Sequence, residues 1–466
     1  MYNILIKNIE NKYEYDELIK VFLPPDQFCS YTQSEYNQRF ENEFPEDPLI
    51  VFNEADFAEK NYIKREIYQG LSQITGKSSA WGILTGVRPV KLTGELFDKL
   101  KDRQKVCDRL QSFFLINEDK TRLLLDVYRY QQEILGKPVS KSAGVYIGIP
   151  FCPTRCLYCS FTSNQKGPEE IERYLVALLE EVAYCGQKMR ETGIFAESVY
   201  IGGGTPTTLS AAQLERLLQQ IEICFDLTHI KEFTVEAGRP DTITMEKLQV
   251  LRKHHVDRIS INPQSMKAST LELIGRSHRP EAITEAFSLA AQSGISIVNA
   301  DVIAGLPEES PEDFRNTLEK VIQMGAKNIT VHTLAVKRAS RLIDVDKDFH
   351  YRQEETVSEM LKIGKEILNQ AGYRPYYLYR QKHMAGAFEN VGYCKEDTPC
   401  VYNIRIMEEQ QTILALGAGG ISKVYFPEEN RLERIPNVSN YEVYIARLCE
   451  MLERKEKNLF QEVIKC

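Results

Sequence analysis

Three cysteines with a C-x3-C-x2-C spacing are the residues of this sequence best placed to do chemistry. Cys152, Cys156 and Cys159 follow an apolar, strand-like segment and lie on one short loop. Cubane iron–sulfur clusters are usually held by four cysteines, so three thiolates would leave one iron open. S-adenosylmethionine can chelate an open iron through its amino and carboxylate groups and be cleaved reductively to a 5′-deoxyadenosyl radical. The spacing therefore predicts a [4Fe-4S] cluster with S-adenosylmethionine as its companion cofactor.

Zinc binding and disulfide bonding are the alternatives for these cysteines. A structural zinc site usually closes with four ligands, but no second C-x2-C pair follows and the next histidine, His229, is remote. The chain has no secretory signal pattern at its start, and its odd number of cysteines suits the reducing cytoplasm. A cluster in a cytoplasmic protein is therefore favoured. Cys394 and Cys400 bracket a polar loop and could bind a metal or be two unrelated buried thiols.

Bulk composition is that of an ordinary globular protein with more than one domain. The 466 residues exceed the size at which single cores stop growing, and 43% hydrophobic with 27% charged residues argues against disorder. The formal net charge of −8 gives no general attraction for nucleic acid. No uninterrupted apolar stretch reaches the length of a membrane span. An anionic substrate would consequently need a local basic pocket.

Alternating apolar runs and helical patterns predict the framework that positions the cysteines. Apolar residues at i, i+3 and i+4 along Ile171–Val182 indicate an amphipathic helix. Ser210 followed by Gln213 predicts a capping box, and Ser310-Pro311 predicts another helix start. The strand-like runs between such helices are Val145–Ile149, Ser198–Ile201, Glu232–Glu236, Arg258–Asn262, Ile297–Ile303 and Asn328–Thr333. Six β–α units favour a parallel sheet and a partial (β/α)6 barrel of the α/β class.

Two further regions flank this predicted barrel. Residues 1–138 begin with a strand-like pattern and are predicted to form an α/β extension, which ends near the polar linker Lys137–Gly144. Residues 143–335 are assigned to the barrel, and residues 336–466 to a C-terminal α+β region that covers the substrate. The elements predicted in the C-terminal region are helices at Glu354–Asn369 and Tyr441–Leu452 and a tyrosine-rich strand at Tyr376–Arg380.

A glycine-rich loop follows the second predicted strand. In parallel β/α folds, ligands collect at the carboxyl ends of the strands. Gly203, Gly204 and Thr205 lie there, where glycine backbone could approach a ligand closely and accept from the ammonium group of S-adenosylmethionine. A phosphate loop is disfavoured because no G-x-x-x-x-G-K-[ST] pattern is present. A simple tight turn remains an alternative.

Polar residues also occur at the ends of the following strands. Glu236 ends the third strand, Gln264 lies beyond the fourth, and Asp301 lies in the fifth. A carboxylate in an apolar strand needs hydrogen-bond partners, and ribose hydroxyls would suit, although Asp301 could instead accept from loop amides. Arg276 could bind the carboxylate of S-adenosylmethionine through its planar fork, or be a lone surface arginine. Their recurrence at successive strand ends indicates one binding site.

Together these segments resemble the oxygen-independent coproporphyrinogen III oxidase group of radical-SAM proteins, which also includes heme chaperones and anaerobic heme-degrading enzymes. The similar segments are the cysteine triad with its strand, the Glu236 strand, Gly202–Pro206, Arg258–Ser265, Gly275–His278, Asp301–Pro307 and Leu416–Gly420. The N-terminal extension, with Trp81–Lys91, makes the whole chain most similar to the HemZ coproporphyrinogen dehydrogenase branch. The resemblance implies a [4Fe-4S] cluster and S-adenosylmethionine on a partial barrel.

The resemblance also implies roles for individual residues. Tyr146 is implied as a catalytic residue that packs near S-adenosylmethionine. Glu236 and Asp301 are implied to lie on the nucleoside side of that cofactor. Gln264 and Arg276 are implied to contact its polar groups.

Two positions depart from the family pattern. Gly148 stands where most members have histidine, so a relay of electrons or protons at that point is missing or moved. Ser160-Phe161 follows the third cysteine, which is closer to the chaperone-like branch than to the oxidases. Two alternative functions therefore stay open: a heme-binding chaperone of the same fold, or a radical-SAM enzyme acting on heme by methyl transfer or ring opening.

The activity that the resemblance implies first is a step of heme biosynthesis. It is the oxidative decarboxylation of coproporphyrinogen III to protoporphyrinogen IX, an oxidoreductase reaction that needs an unidentified electron donor. The substrate is a tetra-anion, so cations must bind it, and arginine is the better partner for planar carboxylates. Arg88 and Arg380 are the predicted substrate residues because glycine, proline and aromatic neighbours indicate fixed side chains. Lys337, Arg338 and Arg341 are further candidates, or a solvated basic face.

Overall fold

Two compact units make up the chain. The first comprises Met1–Arg129 with Tyr379–Glu389, and the second comprises Tyr130–Leu378 with Asn390–Cys466. No helix in the described ranges is long and apolar enough to cross a membrane. The computed structural model describes residues 1–7, 9–40, 47–53, 60–161, 163–337, 340–342, 349, 353–381 and 388–462.

A small parallel sheet with strand order β2–β1–β3 lies in the first unit. Its strands are β1 Tyr2–Lys7, β2 Phe28–Thr32 and β3 Leu49–Asn53. Both faces of β1 are buried, because Ile4 and Ile6 pack into one core while Leu5 and Tyr31 belong to another. Parallel strands covered on both faces have such continuous apolar runs. The helices of this part of the chain are α1 Tyr13–Ile19, α2 Gln33–Phe40, α3 Lys60–Thr75, α4 Pro89–Leu100, α5 Arg103–Asp108 and α6 Glu118–Ile134.

Consecutive parallel strands build the second unit, as the sequence predicts for a partial barrel. The strands are β4 Ser142–Ile149, β5 Phe195–Gly203, β6 Glu232–Glu236, β7 Arg258–Ser260, β8 Ile297–Ala304 and β9 Asn328–Thr333. Each is hydrogen-bonded in parallel to the next along the chain. The helices between them are α7 Pro168–Thr192, α8 Ala211–Cys224, α9 Met245–Lys253, α10 Ala268–Leu273, α11 Pro280–Ser293 and α12 Pro311–Gln323. The predicted α/β class is confirmed.

The C-terminal strands extend the same sheet at both edges. These strands are β10 Arg374–Arg380, β11 Glu389–Cys394, β12 Thr412–Leu416, β13 Ile421–Phe426 and β14 Arg431–Pro436. Strand β11 pairs antiparallel with β9, and β12 pairs parallel with β4. The region predicted from residue 336 onward therefore shares one sheet with the barrel strands, and the division into three domains remains a prediction. The helices here are α13 Glu354–Gln370, α14 Val401–Glu408, α15 Tyr441–Ala446 and α16 Leu448–Lys455.

Buried charges at the amino ends of the barrel strands anchor α14. Glu232, the first residue of β6, accepts hydrogen bonds from the backbone amides of Val401 (2.8 Å) and Tyr402 (3.4 Å). Arg258, the first residue of β7, donates to the carbonyl of Pro399 (3.1 Å). A carboxylate at a helix N-terminus satisfies amides that have no partner within the helix. Helix α14 is thereby fixed at the end of the barrel opposite to the cysteine loop.

A second buried ion pair ties α16 to α7 and to the loop after β12. The side chains of Glu181 and Lys455 are both 0% exposed, and their charged atoms lie 2.8 Å apart. Glu181 also accepts from the amide of Gly417 (2.6 Å), from Asn437 Nδ2 (2.9 Å) and from the hydroxyl of Tyr444 (2.7 Å). Burial alone would raise the pKa of Glu181, but Lys455 and these donors hold it below its usual value.

Replacing Lys455 with methionine should destabilise the second unit strongly. The substitution leaves the Glu181 carboxylate buried without its cation, and breaking a buried pair in this way costs about 3–5 kcal/mol. Chemical denaturation followed by circular dichroism would measure the loss. The control is Arg173→Met, which breaks a solvent-accessible pair with Glu170 and should cost far less stability than Lys455→Met, because water screens exposed ion pairs. Equal losses in the two variants would contradict a structural role for the buried pair.

Candidate functional site

The cysteine loop lies at the carboxyl end of β4, as predicted. Cys156 is buried, and Cys152 and Cys159 are partly buried. Backbone hydrogen bonds shape the loop, from Cys159 N to Cys156 O (3.2 Å) and from Cys152 N to the carbonyl of Asn164 (3.0 Å). Burial raises the pKa of the Cys152 thiol to about 11 and also raises that of Cys159. Thiolates here need a cationic partner, and the irons of a cluster suit three soft sulfur ligands on one loop.

The glycine loop after β5 packs directly against the cysteine loop. A Cβ atom on Gly204 would lie 2.5 Å from the carbonyl oxygen of Phe151 and 3.0 Å from Cys152 Sγ, so only glycine fits there. Gly203 has a φ of +113°, in the region that favours glycine. The hydroxyl of Thr205 lies 3.5 Å from Cys152 Sγ. The structure therefore brings these predicted residues together with the first cysteine, while their contact with S-adenosylmethionine remains a prediction.

The two predicted carboxylates lie on β6 and β8, where Glu236 is the last residue of β6 and Asp301 lies within β8. Glu236 accepts from the hydroxyl of Tyr200 (2.6 Å), and burial raises the pKa of Glu236 to about 7. Asp301 accepts from Asn299 Nδ2 (2.9 Å), and its Oδ2 lies 3.6 Å from His332 Nε2. Burial alone would raise the pKa of Asp301, but His332 and Asn299 hold it below its usual value. One carboxyl is therefore suited to be neutral and the other to be ionised near neutral pH.

Gln264 and Arg276 each carry a buried polar atom, Oε1 and Nε respectively, without a hydrogen-bond partner in the described part of the chain. Gln264 is held by backbone hydrogen bonds with Asp301 (2.9 Å) and Ile303 (3.1 Å). Arg276 Nη1 donates to the carbonyl of Asn262 (2.5 Å). Buried polar groups are normally satisfied, so this acceptor and this donor fit the ammonium and carboxylate groups of S-adenosylmethionine.

Three tyrosine rings stack beside Glu236. Tyr146, the predicted catalytic residue, lies on β4 directly opposite Tyr200 on β5, with ring centroids 6.3 Å apart. Tyr402, the second residue of α14, stacks on Tyr200 at 4.6 Å and on Tyr146 at 6.0 Å. Sequence reasoning missed Tyr200 and Tyr402. The alternation Ser198, Tyr200, Gly202 along β5 could have identified Tyr200, because alternate residues of a strand share one face.

The two arginines predicted to bind the substrate lie in the first unit. Arg380 is buried and donates to the carbonyl of Leu84, and its guanidinium lies 5.0 Å from the centre of the Trp81 ring. Burial lowers the pKa of Arg380 to about 10. Arg88 is the residue that precedes α4. Substrate binding by both arginines remains a prediction, and Arg338 lies outside the described residues.

The two remaining candidate metal ligands have separate partners. Cys400 donates to Glu232 Oε1 at 3.1 Å. Cys394 Sγ lies 3.4 Å from the hydroxyl of Tyr130. Both thiols are buried, and burial raises the pKa of each. These contacts fit the interpretation that they are unrelated core thiols.

Comparison with known proteins identifies relatives of the chain. Residues 146–321 match the Radical SAM superfamily. Over 421 residues the chain is 37% identical to the oxygen-independent coproporphyrinogen-III oxidase-like protein HemZ of Bacillus subtilis, an alignment that covers 89% of this chain and 84% of that protein. It is also 28% identical to the heme chaperone HemW of Escherichia coli, over 61% of this chain and 71% of the chaperone.

The fold is similar to that of a solved structure. Coproporphyrinogen III oxidase (HemN) of Escherichia coli, described as a radical SAM enzyme, aligns with a TM-score of 0.53 and 21% identity. The alignment covers 69% of this chain and 72% of the other. At this identity the similarity shows the fold alone.

Replacing Gly204 with alanine should disturb the cysteine loop. The added Cβ would overlap the Phe151 carbonyl, so we expect a loss of about 1–3 kcal/mol of stability and less bound iron after anaerobic reconstitution. Iron per chain and denaturation midpoints would measure both effects. Gly167→Ala is the matched control, because a Cβ there meets no atom within 4 Å and its φ is an ordinary −75°. Normal iron binding in the Gly204 variant would contradict the assigned contact.

Replacing Glu236 with glutamine should remove a pH-dependent loss of stability. Its pKa is raised from 4.5 to about 7, so between these values the folded state binds more protons than the unfolded state. The contribution of this group to stability therefore falls as the pH rises through that range, by about 3 kcal/mol in total. The free energy of unfolding of metal-free protein would be measured at pH 5 and at pH 8. Relative to the wild type, that of Glu236→Gln should be about 2–3 kcal/mol higher at pH 8 than at pH 5.

The exposed Glu180 on α7 provides the control for this experiment. Glu180→Gln should show no such gain between the two pH values. An identical pH dependence in wild type and Glu236→Gln would show that Glu236 ionises in the folded chain as it does in water.

Proposed function

Because the chain belongs to the oxygen-independent coproporphyrinogen III oxidase-like family of radical SAM proteins, we propose that it converts coproporphyrinogen III to protoporphyrinogen IX. The cofactors of this site are a [4Fe-4S] cluster and S-adenosylmethionine, which together supply a carbon radical that abstracts hydrogen. Each of two propionate side chains would lose one β-hydrogen atom, carbon dioxide and one electron, and become a vinyl group. An external one-electron acceptor takes the electron.

The observation that carries the proposal is the extent of the similarity to HemZ, at 37% identity over 89% of this chain. That alignment is long enough to include both the barrel and sequence outside it. The site geometry supports the cofactor half of the reaction. Cys152, Cys156 and Cys159 would hold the cluster, while Gln264 and Arg276 would orient the polar end of S-adenosylmethionine through their unsatisfied atoms.

The chain's other site residues would align the nucleoside and limit access of water. The proposed contact of Asp301 is with ribose hydroxyls, for which an ionised carboxylate is a good acceptor. Glu236, protonated below about pH 7, could donate as well as accept. The rings of Tyr146, Tyr200 and Tyr402 place a stacked aromatic surface beside Glu236. The cytoplasm is the proposed location, since reducing conditions keep the ligand thiols unoxidised.

A heme chaperone of the same fold is the second candidate. The similarity to HemW of Escherichia coli, over 61% of this chain, favours it. The chaperone function needs heme binding and transfer but no decarboxylation. The two functions therefore differ in what they do to a porphyrinogen.

An anaerobic assay separates these functions. Reconstituted protein with dithionite, S-adenosylmethionine and coproporphyrinogen III should yield a product that has lost two carboxyl groups, seen by mass spectrometry. Cys156→Ala should yield none, because it removes one of the three cluster ligands. A heme titration of the wild type runs in parallel. Tight heme binding without any decarboxylation, in protein that cleaves S-adenosylmethionine, would contradict the oxidase function and support the chaperone function.

A further inference from the structure

A buried arginine that sequence reasoning overlooked contacts the cysteine loop. Arg239 follows β6 and is 4% exposed. Its Nη1 donates to the hydroxyl of Thr154 at 2.9 Å and to Cys156 Sγ at 3.9 Å. Its Nη2 donates to the hydroxyl of Ser277 at 2.9 Å. One guanidinium therefore connects the cysteine loop with the loop that carries Arg276.

Asp241 holds this guanidinium in place. Its two carboxylate oxygens accept from Arg239 Nε (3.1 Å) and Nη2 (3.0 Å). Such a bidentate pair fixes the orientation of the planar guanidinium. Asp241 also accepts from the Ser277 hydroxyl at 3.2 Å. The direction of the third donor, Nη1, is thereby set, and it points at the loop between Cys152 and Cys156. A lysine could carry the charge but could not form this bidentate pair.

We propose that Arg239 is a positioning residue for the iron–sulfur cluster, which holds the Cys156 ligand in place and makes the cluster easier to reduce. Hydrogen bonds to ligand sulfurs and the local charge are two of the factors that set cluster potentials. A buried cation beside a thiolate stabilises the additional negative charge of the reduced cluster. Asp241 offsets part of that effect, because its carboxylate lies against the same guanidinium.

Because Arg239 and Asp241 have opposite charges, neutralising each of them should shift the midpoint potential of the cluster in opposite directions. The midpoint potential of the reconstituted cluster would be measured by electron paramagnetic resonance, without S-adenosylmethionine and without porphyrin. Arg239→Gln should make reduction at least tenfold less favourable, a shift of about 59 mV to lower potential for one electron. Asp241→Asn should shift the potential in the opposite direction. Arg239→Lys keeps the charge and should lie closer to wild type than Arg239→Gln.

Arg173→Gln, which removes an exposed arginine on α7, is the matched control and should leave the potential unchanged. The proposal would be overturned if Arg239→Gln and Asp241→Asn each changed the equilibrium constant for cluster reduction by less than twofold relative to the wild type. Shifts of the same sign in the two variants would also overturn it. If Arg239→Gln assembles no cluster, the test depends on Asp241→Asn. A midpoint potential of Asp241→Asn that is not higher than that of the wild type would then overturn the proposal. The proposal rests on the cluster and not on the substrate. Because no porphyrin is present, its failure is separate from failure of the decarboxylation assay.

Discussion

The packing of β4 between two parallel neighbours is the constraint on which the site depends. On one side the amide of Gly204 donates to the carbonyl of Ile149 at 2.8 Å, where β4 ends and the cysteine loop begins. On the other side β12 is hydrogen-bonded to β4 in parallel. The hydroxyl of Tyr174 donates to the carbonyl of Gly148 at 2.6 Å and accepts from the amide of Ala418 at 3.0 Å. These hydrogen bonds fix the position of the base of the cysteine loop.

Buried charged groups near the amino ends of the barrel strands have partners within the fold, although two buried atoms there, Arg258 Nε and Gln411 Oε1, have no hydrogen-bond partner among the described residues. At the amino ends, Glu232 has amide donors from α14, and Glu197 pairs with Arg405 at 2.9 Å. At the carboxyl ends, polar atoms of Gln264 and Arg276 stay unsatisfied within the described residues. Satisfied networks stabilise a fold, whereas unsatisfied buried groups destabilise it unless a ligand supplies partners. The unsatisfied atoms of Gln264 and Arg276 therefore fit the predicted S-adenosylmethionine site at the carboxyl end, and their contact with that cofactor remains a prediction.

Much of the framework was predictable from local pattern. The strands Glu232–Glu236 and Asn328–Thr333 have the predicted bounds, because apolar runs between turn residues mark buried strands. The predicted strand Arg258–Asn262 is shorter, ending at Ser260, and the Asn262 side chain accepts from the amide of Asp301. The single helix predicted at Tyr441–Leu452 is two helices that meet at Arg447. Strand ends and helix breaks depend on such tertiary contacts.

Site residues were predictable where one short segment carried the signal. The cysteine triad and the glycine loop each lie on one short segment, so the local sequence singled them out, and the structure shows that the two loops are in contact. Arg239 and Tyr402 were missed because their partners come from distant segments, which no local pattern joins.

The arrangement of the sheet also has a kinetic consequence. Strand β4 is synthesised long before its outer neighbour β12, so this edge of the sheet has no partner until β12 leaves the ribosome. We therefore expect the cysteine loop to reach its final shape only after β12 has left the ribosome and paired with β4.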